Sequence, residues 1–282
     1  MTSPYAKCRG SYPVRRGGVA VALYFACTSA LVLALSCLTL ERNGRWQDGI
    51  ALWSDVIEKA PNRARAYNNR GLIYEASAQF DRALSDFTAA LTLDRRFVDA
   101  YGNRGMTLRE LGQYDRAMQD LNTAIATDPT FANAYVTRGI LYKELGKFDR
   151  ALADYNMAIT LNPVSVEAYN SRGVVYKHMN RLDLAVEDYG RAISLNPAFY
   201  LAYCNRGIVF NMMGRIPEAI EDYTMALALN PGLLKAYQDR GDLYRRSGRK
   251  ALAAGDFQKA CSLGDEAGCE MVRMLDNRSP SR

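Results

Sequence analysis

Side chains able to do chemistry are sparse and scattered in this chain. It has one histidine, His178, with no second His or Cys at ligand spacing from it. No phosphate-cradling Gly-rich loop, Gly-x-Ser-x-Gly or His-Glu-x-x-His is present. Nucleophile–base pairs and metal-ligand spacings are missing, so no catalytic, cofactor or metal site is expected, and His178 is read as a solvated helix residue. Cys27 and Cys37 sit in an apolar run as small residues, Cys8 lies in a basic tail, and Cys204 is either packed or at the surface. Cys261 and Cys269 stand eight apart across the turn Leu263-Gly264-Asp265. They could pair, or serve as two small apolar residues in a capping interface. One charged pattern does recur. Arg70, Arg104, Arg138, Arg172, Arg206 and Arg240 are each followed sixteen residues later by Asp86, Asp120, Asp154, Asp188, Asp222 and Asp256. The spacing predicts an Arg–Asp pair linking helices within or between neighbouring units, an ion-pair ladder that locks a stack. The alternative is that the arginines take an acidic ligand.

The elements that position these residues repeat with a period of 34. Tyr67, Tyr101, Tyr135, Tyr169, Tyr203 and Tyr237 keep that step, as do the glycines Gly71, Gly105, Gly139, Gly173, Gly207 and Gly241. In the second half of each unit the same holds from Ala83 to Ala253 and from Ala90 to Ala260, and Pro129, Pro163, Pro197 and Pro231 close four units. In the third unit, 132–145 and 148–161 carry apolar residues at three- and four-residue spacing, which predicts two amphipathic helices. Gly146 between them suits a left-handed turn, and Pro163 cannot continue the second helix. The small residues let paired helices approach closely. One pair cannot bury its own apolar face, so stability must come from stacking.

Charge and hydropathy divide the chain unevenly. Residues 1–40 hold Lys7, Arg9, Arg15 and Arg16 and no acid, leaving 32 basic against 30 acidic residues in 41–282. A near-neutral body argues against nucleic-acid binding, which needs clustered positive surface. Residues 17–40 are uncharged and apolar. As a helix they would span about 36 Å against a hydrocarbon core of about 30 Å. Arg15 and Arg16 precede the run, and the positive-inside rule then gives a cytoplasmic N-terminus and an exported body. A cleaved or lipidated signal segment and a buried helix are the alternatives.

The repeat is identified as a member of the tetratricopeptide repeat family, on six units covering roughly 64–265. Arg95 and Asp265 stand where units one and six would close with Pro, and Arg replaces the family's usual apolar residue at position seven of each unit. The resemblance implies an all-α, right-handed superhelical solenoid, here preceded by one transmembrane helix. The expected organisation is a cytoplasmic basic tail at 1–16, the anchor at 17–40 and a half repeat at 41–63. Units follow at 64–97, 98–131, 132–165, 166–199, 200–233 and 234–265, then a capping helix at 266–275 and a disordered tail at 276–282. The stretch around Trp46, Gly49, Trp53 and Pro61 is similar to the junction between membrane helix and repeats in O-mannosyltransferase-like membrane proteins. Bacterial Cys-rich helical-hairpin repeat proteins show a similar Cys-x7-Cys, which implies a Cys261–Cys269 disulfide.

What the family resemblance implies for function is a concave face lined by the first helix of each pair. Contacts come from positions two, five, nine, twelve and thirteen of each unit. The expected groove residues are an apolar strip of Leu72, Met106, Ile140, Val174 and Ile208, the amides Asn133 and Asn170, and a row of Arg109, Lys143, Lys177, Asn211 and Arg245. The expected partners are protein or peptide segments of apolar and acidic character, with self-association through unsealed ends as a further possibility. The Lys/Asn set that grips chaperone C-termini is not reproduced. The expected function is a membrane-anchored, non-enzymatic scaffold whose groove faces the periplasm. The alternative is an accessory subunit of an envelope glycosyltransferase or polysaccharide-export assembly.

Overall fold

The computed structural model of the chain describes residues 48–276. Among the described residues every element is an α-helix. Helix α1 (Gly49–Lys59) comes first. Six pairs follow: α2 (Ala64–Ala76) with α3 (Phe80–Leu93), α4 (Val98–Glu110) with α5 (Tyr114–Thr127), α6 (Ala132–Glu144) with α7 (Phe148–Leu161), α8 (Val166–His178) with α9 (Leu182–Leu195), α10 (Tyr200–Met212) with α11 (Ile216–Leu229), and α12 (Leu234–Arg246) with α13 (Lys250–Ser262). Helix α14 (Glu266–Asp276) ends the described chain.

Each pair turns at one register position. Gly112, Gly146, Gly214 and Gly248 have φ between +69° and +77° there, and Ala78 and Asn180 occupy the same position at 55° and 57°. Left-handed backbone is routine for Gly and tolerated by Asn, whereas in Ala the Cβ crowds the following carbonyl oxygen. Between pairs, Asp94, Asp128, Asn162, Asn196 and Asn230 each accept a hydrogen bond from the backbone N–H two residues on. This turn too repeats every 34 residues, although the sequence reading did not use it.

The pairs close because small residues meet rings. Ala83, Ala117, Ala151, Ala185, Ala219 and Ala253 are fully buried, as are Ala90, Ala124, Ala158, Ala192, Ala226 and Ala260. A Cβ on Gly139 would lie 2.7 Å from the ring of Tyr155, so glycine is what allows α6 and α7 their separation. First helices of successive units touch one another from α2 through α10, while second helices make no comparable contact. The stack therefore curves with its first helices inside, and they line the concave face.

The single-pass membrane placement must be corrected. No helix among the described residues is long and apolar enough to cross a membrane. The longest have 14 residues, which is about 21 Å against a core of about 30 Å, and they spend their apolar sides on neighbouring helices. The 17–40 run and the 1–16 tail lie outside the described residues, as does 277–282; Asp276, assigned to the tail, belongs to α14.

Candidate functional site

The recurring Arg and Asp side chains meet within each unit. Arg138 on α6 donates through Nε and Nη2 to Asp154 on α7, both at 2.8 Å, with side chains 18% and 8% exposed. The other five units repeat this two-pronged pair. Pairing with the aspartate holds each guanidinium above its ordinary pKa against the opposing cost of burial. The third arm of the fork reaches back to the preceding second helix. Arg70, Arg104, Arg138, Arg172 and Arg240 donate through Nη1 to Ser54, Thr88, Asn122, Asn156 and Thr224. At the corresponding place for Arg206 stands Gly190, so that rung has no acceptor. The arginines thus serve the stack rather than a ligand.

On the concave face, Met106, Asn133 and Ile140 line one hollow of about 150 Å³ between α4, α6 and α8. Val136, Asp99 and Glu167 line it as well. Asn103, Thr137 and Phe131, which also line it, were not anticipated. The first two fall on position six, which faces the seam between units, and Phe131 precedes its helix. Leu72, Val174 and Ile208 lie on the same helical register but outside this hollow.

The members of the expected row differ in their partners. Arg109 is held by Glu110 and donates to Glu144 at 2.6 Å, so its charge is spent within the chain. Beside it Glu75 accepts from Thr107, and burial foremost raises the Glu75 carboxyl above its ordinary range. Arg245 pairs with Asp242, and Asn211 accepts from Arg246. Asn170 accepts from Asn205. Only Lys143 and Lys177 of the row make no ion pair with a described residue. Lys177 is half-buried, and burial, with the charge of Lys143, lowers its pKa. His178 stacks on Phe148 with ring centres 5.8 Å apart. Its pKa is lowered by burial, then by Lys177 and Lys143. Burial pushes the Cys204 thiol up to about 11, which keeps it protonated and unreactive at neutral pH. Cys261 and Cys269 are joined, with Cα atoms 4.8 Å apart. Among the described residues no group of acids, His and Cys could hold a metal ion.

Models described as tetratricopeptide repeat match residues 38–77, 64–97, 87–119, 166–199 and 200–233, and one described as TPR repeat matches 105–146 and 139–180. The 38–77 match claims the stretch read as an O-mannosyltransferase-like junction, and nothing supports that junction. No curated protein sequence matches the chain. Among solved structures, one described as the APC/C hetero-tetramer Cut9–Hcn1 aligns over 82% of this chain at 16% identity and a TM-score of 0.72; the chain spans 46% of that protein's length. A tetratricopeptide repeat protein from Parabacteroides merdae aligns over 88% of this chain and 98% of its own at 23% identity and 0.61. MamA aligns over 57% of this chain and 94% of its own at 28% identity and 0.52. Proteins built from such repeats are typically non-catalytic and bind protein or peptide partners. With repeat models tiling residues 38–233 and helix pairs stepping every 34 residues, the chain belongs to the tetratricopeptide repeat family.

Proposed function

We propose that this chain is a scaffold that binds protein or peptide segments along its concave face, centred on α4, α6 and α8. The observation that carries the reading is the hollow beside Met106, Val136 and Ile140, a cup of mixed apolar and polar lining open on the inner curve of the stack. Apolar surface in a preformed concavity is what a partner side chain can bury with little ordering cost on the scaffold's side. The rungs and Gly–ring contacts beneath hold the cup rigid, so the scaffold works by presentation rather than by chemistry.

A photoreactive residue at Ile140, with a control at Lys250 on the start of α13, tests this in native cells of the source organism. The expected result is a partner captured from 140 alone, whose binding is reproduced with purified full-length proteins and lost in Ile140→Asp. Equal capture at both positions, or binding unaffected by Ile140→Asp, would count against the groove.

A further inference from the structure

Successive first helices are bridged by polar side chains along the groove floor. Asn103 donates to Asn68 between α4 and α2, and Arg109 to Glu144 between α4 and α6. Asn205 donates to Asn170 between α10 and α8, and Arg246 to Asn211 between α12 and α10. Between α6 and α8 no such bond is made among the described residues. At that one gap Lys143 and Lys177 face the groove without a carboxylate.

The hollow lies next to this gap. Ile140 is three residues before Lys143 on α6, and positions three apart share a helix face. Lys143 and Lys177 lie in last turns, whereas Asp99 and Glu167, in the first turns of α4 and α8, line the hollow and also make no ion pair with a described residue. Helix dipoles favour acids at helix starts and bases at helix ends. That preference accounts for where these charges sit, but not for two acids lining the hollow and two lysines beyond it all remaining unpaired. Glu167 and Lys177 lie ten residues apart on α8, which is about 15 Å along the axis. An extended segment covers that distance in about four to five residues.

We propose that this part of the groove takes an extended peptide segment in which one apolar side chain fills the hollow, an acid on one flank is held by Lys143 and Lys177, and a base on the other is held by Asp99 and Glu167. The inference rests on the groove reading above and narrows it from apolar and acidic partners to a dipolar one.

The test uses the full-length chain and four fluorescein-labelled peptides with a central Leu in a Ser/Gly background. Their residues two before and two after the Leu are Lys/Glu, Glu/Glu, Lys/Lys or Ser/Ser. Fluorescence anisotropy at low salt should rank Lys/Glu first, about tenfold tighter than Ser/Ser. Lys143→Glu with Lys177→Glu should move the preference to Lys/Lys, and Asp99→Lys with Glu167→Lys should move it to Glu/Glu. Asp99 and Glu167 are exposed and Lys143 and Lys177 half-buried, so an unchanged melting curve verifies each variant. His178, the only histidine in the chain, supplies a single imidazole resonance next to Lys177. It should shift on binding the Lys/Glu peptide. If all four peptides bind alike and Ile140→Asp abolishes binding, the dipolar inference is overturned and the groove reading stands. If none binds, both are overturned.

Discussion

At the scale of single residues, the Arg–Asp pair shows how a polar group earns a place in a packed stack. Both partners are mostly buried, and the fork satisfies two acceptor oxygens at once. Arg138→Leu would leave Asp154 buried and uncompensated, a loss of about 3 kcal/mol or more. It should lower the melting temperature while groove binding, measured at a temperature where the variant is folded, is retained. An unchanged melting curve would contradict the ladder. At the turn, Ala78→Gly removes a Cβ from left-handed backbone and should stabilise by about 1 kcal/mol, read as a rise in the urea midpoint. His178 carries a pH consequence. Its folded pKa lies below the free value, so the folded state takes up the proton less readily than the unfolded one. Its contribution is present above about pH 6.5 and is lost on acidification. NMR titration should place it below the free value, and Lys177→Met should move it back up.

At the scale of helices, the same residue type does opposite work in two places. Gly139 sits against the Tyr155 ring, where an added Cβ would fall at 2.7 Å. Gly139→Ala should therefore destabilise by about 1–3 kcal/mol despite the better helix propensity of alanine. Gly190 meets only Arg206 Nη1, at 3.7 Å from its added Cβ. There Gly190→Ala should stabilise by up to about 1 kcal/mol. Chemical denaturation of the two variants side by side checks both signs. The helix pairs and their turns were legible because a 34-residue period repeats every structural choice, from Gly71 to Gly241. The Arg–Asp pairing was legible for the same reason, since sixteen residues join two helices of one unit. Contacts between units were much less so. That Glu144 captures Arg109, or that Asn122 receives the third arm of Arg138, depends on how one pair is rotated on the next, which spacing alone does not report. The cations of the groove row therefore divide into paired Arg109 and Arg245 and unpaired Lys143 and Lys177. The single-pass reading rested on the length of one apolar run and its flanking arginines, and no described helix carries it.

At the scale of the whole molecule, each unit touches only its neighbours, so stability is a sum of local terms. Amide exchange should be slowest in α6 to α9 and faster toward α14, since among the described residues the units at the ends of the stack have a neighbour on one side only. The Cys261–Cys269 link ties α14 to α13 and sits at one end. Its reduction should speed exchange in α13 and α14 and leave α6 unchanged. Faster exchange throughout the chain would mean that the stack unfolds as a single cooperative body.

The empty rung at Gly190 also has a mechanical meaning. A curved stack is a spring, and a spring in series yields first at its softest coil. At the junction of units four and five the inner edge keeps its tie, Asn205 to Asn170. The outer edge lacks the arm that Arg206 would extend. That junction is held on its outer side by helix packing alone, and on its inner side by packing and a polar tie. At that joint the polar ties therefore resist straightening and leave closure unopposed.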